Sequence, residues 1–223
     1  MMPSASAAPD NGVAALEPRA VLARTIAALK GERSYFYDGC HFNLDPDVCA
    51  KIDIVGKDFT GTMTMGEGRA DVRYVGGRSF LRADLAFWRV LFTDDTAFDR
   101  AAATTAAALN DTGRWIEMPS AYRILGADFG GASIWTELQA AEVVHRIGPL
   151  QLEGQGPSVV IGIGSEGRVF VAMTGKPYPI RISTERTTAM LSRFGAAAAV
   201  KAPPAADVVA LNDLFKKRDT IRA

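Results

Sequence analysis

The chain has 223 residues, 48% of them hydrophobic, with Lys+Arg 25 against Asp+Glu 25. The length suits one sizeable domain with an ample core. Balanced charge argues against a nucleic-acid binder that relies on a strong positive field. No apolar run reaches the ~18 residues that span a bilayer.

The first stretch, MMPSASAAPDNG, lacks the basic and apolar regions of an intact signal peptide. Its Ser, Ala, Pro, Asp and Gly content predicts a flexible tether over residues 1–15. Two origins fit it: a chain from which a signal sequence was removed, or an ordinary cytoplasmic tail. A helix is expected over residues 18–30. Pro18 suits its first position, Gly31 its end, and Leu22, Ile26 and Leu29 share a face beside Val21.

The period then changes. Residues 34–43, 51–55, 60–66 and 70–75 read as strands, and Gly76-Gly77 marks a hairpin into a strand over 78–84. Residues 85–109 read as helix, interrupted near 93–95, where Asp94 or Asp95 offers a cap. A short strand follows over 114–118 and a short helix over 132–142 that carries Trp135 and Leu138. The final part returns to strands at 143–147, 150–154, 158–162, 168–173, 180–184 and 190–194. The Pro203-Pro204 pair breaks the chain, and a terminal helix is expected over 208–217. Segregated runs of strands and helices indicate an α+β fold with an antiparallel sheet, not βαβ alternation.

Cys40 and Cys49 have eight residues between them, including Asp45-Pro46-Asp47. This spacing can close a disulfide across a hairpin, which would imply an oxidising compartment. Free buried thiols are the other reading. His41 is the one imidazole nearby, so a four-ligand zinc site has little support, and no metal site is assigned. Asp45, Asp47 and Asp53 lack the Gly and terminal Glu of an EF-hand loop and suit a capped loop.

The run from Gly162 to Gly167 matches GxGxxG, but a strand-like RVFVAM follows it where a dinucleotide site needs a helix. A Gly-rich hairpin turn is the better reading. His41 and His145 stand in none of the metal or haem patterns and read as surface or sheet residues. No GxSxG elbow is present, and Asn110-Asp111-Thr112 is formally a glycosylation sequon. No catalytic residue or cofactor is assigned, and the chain is read as a non-enzyme. Phe87, Trp88, Phe92 and Phe98 crowd the central helical region, as core residues covering a sheet or as the lining of an apolar cavity.

The run GEGRADVRYVGGRSFLRAD, then FW, TGRWIEMP, GRVFVAMTGKPYPIRI, SRFG and APPAADVV, resembles the LolA/LppX/LprG-type lipoprotein family of actinobacteria over residues 34–209. The resemblance implies a large curved antiparallel sheet, a half-open β-barrel covered by helices on its concave face, with a hydrophobic cavity between the two layers. It implies carriage of lipids, lipoglycans or acylated proteins in the cell envelope, outside the cytoplasm. It also implies a membrane surface as partner, reached through an N-terminal lipid anchor on a removed segment. The lipobox cysteine is missing here, since Cys40 lies behind the first helix. Domain bounds on this view are a tether at 1–15, one monomeric lipid-binding domain at 16–215 and a tail at 216–223.

The family has no fixed ligand motif, so cavity residues are named by pattern. Leu85, Trp88 and Leu91 share a helix face, Trp135 and Leu138 another, and Phe80, Val169, Val171 and Ile182 are wall residues on strands. Face parity on the strands stays open, because a one-residue slip inverts every side chain. The alternative function is an envelope sensor or interaction module on the same fold with a closed cavity.

Overall fold

A computed structural model describes residues 9–42, 45–92, 96–119, 138–140, 144–152 and 156–216. Helix α1 (Pro18–Lys30) begins on its proline and buries Val21, Leu22, Thr25 and Leu29. The Thr25 hydroxyl is satisfied by the Val21 carbonyl at 2.9 Å, one turn back. A meander follows: β1 (Ser34–His41), β2 (Val48–Val55), β3 (Asp58–Met65), β4 (Gly68–Val75) and β5 (Arg78–Ala83). Gly76 and Gly77, with φ of 59° and 79°, form the two-residue turn with both centres left-handed that the β4–β5 hairpin twist requires.

The helical interlude is α2 (Leu85–Leu91) and α3 (Ala97–Asp111). Asp84 caps α2 through Oδ1, which accepts from the Phe87 N–H at 2.8 Å, while Oδ2 accepts from the Arg69 N–H at 2.9 Å. One carboxylate thus ends β5, starts α2 and ties both to β4. The proposed caps at Asp94 and Asp95 lie outside the described residues. Helix α2 lies so close to β4 that a Cβ on Gly68 would sit 2.1 Å from the Phe87 nitrogen. The buried face of α3 is Ala102, Ala103, Ala106 and Ala107, small enough to let α2 approach.

After β6 (Trp115–Met118) come β7 (Val144–Leu152), β8 (Gly156–Ile163), β9 (Gly167–Ala172), β10 (Pro179–Ser183) and β11 (Thr187–Ser192). The two strands expected at 143–147 and 150–154 are one strand. A bulge between Arg146 and Gly148 absorbs the break in alternation. The terminal helix expected over 208–217 begins instead as β12 (Val208–Ala210), parallel to β6, before α4 (Leu211–Lys216). The helix expected at 132–142 falls mostly outside the described residues.

Among the described residues twelve strands form one sheet in the order β12-β6-β5-β4-β3-β2-β1-β11-β10-β9-β8-β7. It is antiparallel apart from the β12–β6 pair and does not close: β12 and β7 are its two edges. Helix α1 covers the β7–β8 end, and α2, α3 and α4 cover the β3–β6 end. The register gives the sheet two rims. The β1–β2, β3–β4, β8–β9 and β10–β11 turns lie at the upper rim, and the β2–β3, β4–β5, β7–β8 and β9–β10 turns at the lower. The GxGxxG run is the β8–β9 hairpin.

One core cluster lies on the helix-covered face and runs from Ile116 and Leu81 through Val72, Ile52 and Tyr37 to Leu191 and Val169. The outer face is polar and ion-paired, with Lys51–Asp38 at 3.2 Å, Arg82–Asp71 at 2.8 Å and Arg78–Glu117 at 2.7 Å. Trp115 lies there with the Arg73 and Arg82 guanidiniums at 4.5 and 4.9 Å from its ring centre. A smaller outer cluster of Val160, Phe170 and Ile180 makes β8 apolar on both faces. Cys40 and Cys49 face each other across β1 and β2 and are disulfide-bonded.

Within the segment 1–15, residues 10–15 are held against the sheet. Asp10 bridges Thr174, the Asn11 N–H donates to the Met173 carbonyl at 2.9 Å, and Val13 is buried in a one-turn 3-10 helix.

Candidate functional site

The candidate site is the apolar face between sheet and helices. The register brings together most of the side chains named from pattern. Val169, Val171 and Ile182 project from β9 and β10 into the core cluster, where Trp88 and Leu138 are also buried. Leu85 and Leu91 pack against the same cluster, half-buried. Phe80 does not join them. Its neighbour Leu81 faces the core, so Phe80 lies on the outer face, with the Arg78 guanidinium 5.0 Å from its ring centre. Trp135 lies outside the described residues.

On α2 the fully buried pair is Phe87 and Trp88, set edge to face at 87°. Trp88 stacks on Phe92 at 5.5 Å. Its indole N–H donates to Asn110 Oδ1 at 2.8 Å, and the Ala83 N–H donates to the same oxygen at 2.9 Å. The Asn110 amide in turn donates to the Arg114 carbonyl at 2.8 Å. One buried amide therefore satisfies the only polar atom of the Trp88 side chain and locks α2, α3 and β5 together. The same burial turns the sequon at Asn110 into a structural position.

A cleft of about 230 Å³ opens between α1, the 138–140 segment and the start of β7. Its walls are Leu22, Ala23, Ile26, Leu138 and Val144, with Arg19 and Gln139 as the polar members. Arg19, Leu22, Ala23 and Ile26 recur at the spacing of one helix face. Leu22 and Ile26 stand out in the sequence as the apolar stripe of α1, but nothing there marks the stripe as a cleft wall. Ala23, Gln139 and Val144 carry no pattern of their own, because what joins them is the crossing of a helix with an edge strand.

Both ends of α1 are fixed. Ahead of it, Arg146 on β7 donates to the Ala14 carbonyl at 2.8 Å and to the Leu16 carbonyl. Behind it, Glu32 accepts from Lys176 Nζ at 2.5 Å and from the Tyr178 hydroxyl. These two donors hold the Glu32 carboxyl below its ordinary range. Tyr178 stacks on Phe194 at 3.9 Å between ring centres, and Phe194 adjoins Tyr35. Burial pushes the Tyr35 phenol up to about 12. His41 Nδ1 lies 3.0 Å from the Thr187 hydroxyl, and the ring of His145 covers Gly162. The cleft walls named above present aliphatic surface with one guanidinium and one amide. They suit an apolar chain that ends in a polar or anionic group.

An unclosed, curved antiparallel sheet with helices on its concave face is the half-barrel fold of the lipoprotein LppX of Mycobacterium tuberculosis. The two structures superpose with a TM-score of 0.52 at 15% identity, over 82% of this chain and 99% of LppX. LprF of Mycobacterium bovis gives a TM-score of 0.49 at 11% identity, over 88% of this chain and 99% of LprF. An uncharacterized conserved protein of Thermus thermophilus gives 0.37 at 10%, over 86% and 98%. No family model matches the chain, and no curated protein matches it in sequence. Among the described residues no helix is long and apolar enough to cross a membrane.

Proposed function

We propose that the protein binds lipids or acylated molecules in the cell envelope and carries them without covalent chemistry. The observation that carries this reading is the cleft beside α1, an aliphatic slot with a guanidinium among its walls, on the apolar face of a sheet left open between two edges. Each methylene moved from water into such a slot contributes about 0.8 kcal/mol. The acidic or polar headgroup stays near Arg19 and Gln139. The fold shared with LppX supports the reading, as does the disulfide, which suits a compartment outside the cytoplasm. The working state on this reading is a monomer that meets a membrane surface.

The described cleft, at about 230 Å³, is smaller than the ~300 Å³ at which ligand sites usually begin. That observation favours a second reading, an envelope interaction module on the same scaffold. Native mass spectrometry after gentle extraction separates the two. A carrier retains lipid, or takes it up from offered vesicles. Ala23→Trp fills the slot from an exposed position on α1 and is expected to abolish uptake while leaving the fold intact. A wild-type chain that stays empty with vesicles present, or an Ala23→Trp variant that loads normally, removes the carrier reading at this cleft.

A further inference from the structure

The zero net charge of the chain hides a separation. At the lower rim the described turns expose Lys30 and Arg33 between α1 and β1, Lys57 between β2 and β3, and Lys176 between β9 and β10. Asp10 is an exposed carboxylate at this rim, whereas Glu32, Asp53 and Asp58 are half-buried and engaged. Glu32 binds Lys176, Asp53 binds Arg193 at 2.9 Å, and Asp58 accepts from the Gly76 N–H at 3.0 Å. The upper rim is the reverse. Its turns and the residues that flank them expose Asp45, Asp47, Glu67, Asp84, Asp111, Glu166 and Glu185, against Arg69, Arg114, Arg168 and Arg186.

The N-terminal segment joins the sheet at the lower rim. The Gly175 N–H donates to the Pro9 carbonyl at 3.3 Å, one residue from Lys176, and Asp10 bridges Thr174. The start of the cleft lies toward the other end, since Val144 pairs with Ile163 at the upper rim.

We infer that the lower rim rests on a bilayer surface rich in anionic headgroups, with the cleft held away from it. Basic side chains within a Debye length of such a surface strengthen binding about five-fold each. The inference deepens the reading of a carrier that meets a membrane, but it makes no use of the cleft, so the two can fail separately.

Vesicle flotation of the full chain tests it, with phosphatidylcholine vesicles that contain or lack phosphatidylglycerol. The expected result is binding to the anionic vesicles alone, weakening as salt rises. The triple variant K30E/R33E/K57E is expected to bind at least about a hundred-fold more weakly, at five-fold or more per charge. The triple R114E/R168E/R186E makes the same change in net charge at the upper rim and on its adjoining strand, and is expected to bind like the wild type. Circular dichroism checks that both remain folded. Equal weakening by the two triples, or no wild-type binding to anionic vesicles at low salt, overturns the inference. Uptake of a fluorescent fatty acid, measured on the same proteins, reads the carrier function independently. If the lower-rim triple loses vesicle binding and keeps uptake, both proposals stand. If the wild type takes up the fatty acid but ignores the vesicles, only the rim proposal falls.

Discussion

Asn110 shows what a single residue can hold in this fold. It is 7% exposed, and its Oδ1 is the acceptor for both the Trp88 indole and the Ala83 backbone N–H. Truncation to alanine leaves those two buried donors without a partner, and each orphaned donor costs about 1–3 kcal/mol. Asn110→Ala is therefore expected to lower unfolding stability by about 3 kcal/mol, a large share of the 5–15 kcal/mol typical of a domain. Urea denaturation checks it: the midpoint falls while the slope is unchanged. A loss below about 1 kcal/mol would mean that water replaces the amide. Little of this was legible in the sequence. Asn110 sits in a sequon and near a helix end, both of which point to the surface. Its role arises from β5 and α2 converging on it, which local pattern does not encode. Phe80 carries the same lesson. In β5 the alternation is blurred because Phe80 and Leu81 are both apolar and both buried, and only the pairing of Leu81 with Val72 shows which of them faces the core.

At the scale of elements, the sequence is clearest where turn chemistry and period agree. Helix α1, the β1–β5 meander and the split between α2 and α3 follow from Pro18, the Gly-rich turns and the switch from period two to helical spacing. It is least clear where pairing overrides local preference. Val208–Ala210 extends the apolar stripe of a helix, yet joins the open edge of β6 because the hydrogen bonds of that edge are available to it. In β7 the Gly148-Pro149 pair reads as a break, but the bulge lets one strand continue through it. The disulfide also belongs to this scale, since it staples the upper ends of β1 and β2, whose turn carries Asp45-Pro46-Asp47. Closing a loop with a sequence separation of 9 is worth about 2.5 kcal/mol in the chain-entropy account. The double variant C40A/C49A is expected to lose about that much, with dithiothreitol giving the wild type the same denaturation midpoint. A double variant as stable as the oxidised wild type would show that the hairpin register holds without the staple.

At the scale of the whole molecule, the open sheet and its polarised rims have a consequence for solution behaviour. A chain with no net charge lacks the repulsion that keeps copies apart. Here the lower rim, with Lys30, Arg33 and Lys57, is complementary to the upper rim of another copy, with Glu67, Glu166 and Glu185. Such a contact joins unlike surfaces, so it propagates head to tail and does not close into a dimer. Its range is set by salt, with a screening length of about 30 Å at 0.01 M and about 8 Å at physiological ionic strength. The expected outcome by sedimentation velocity is weak, concentration-dependent association at about 0.01 M salt that disappears near 0.15 M. K30E/R33E/K57E should abolish it, because two acidic rims repel. Association through the other exposed feature, the β7 edge with Ile147 at 49% and Leu150 at 48% exposure, responds in the opposite sense. Burial of apolar surface is insensitive to screening and is strengthened by salts excluded from protein surfaces, such as sulfate. Growth of the larger species with added sulfate would therefore place self-association on the sheet edge, and the charge separation between the rims would have no part in it.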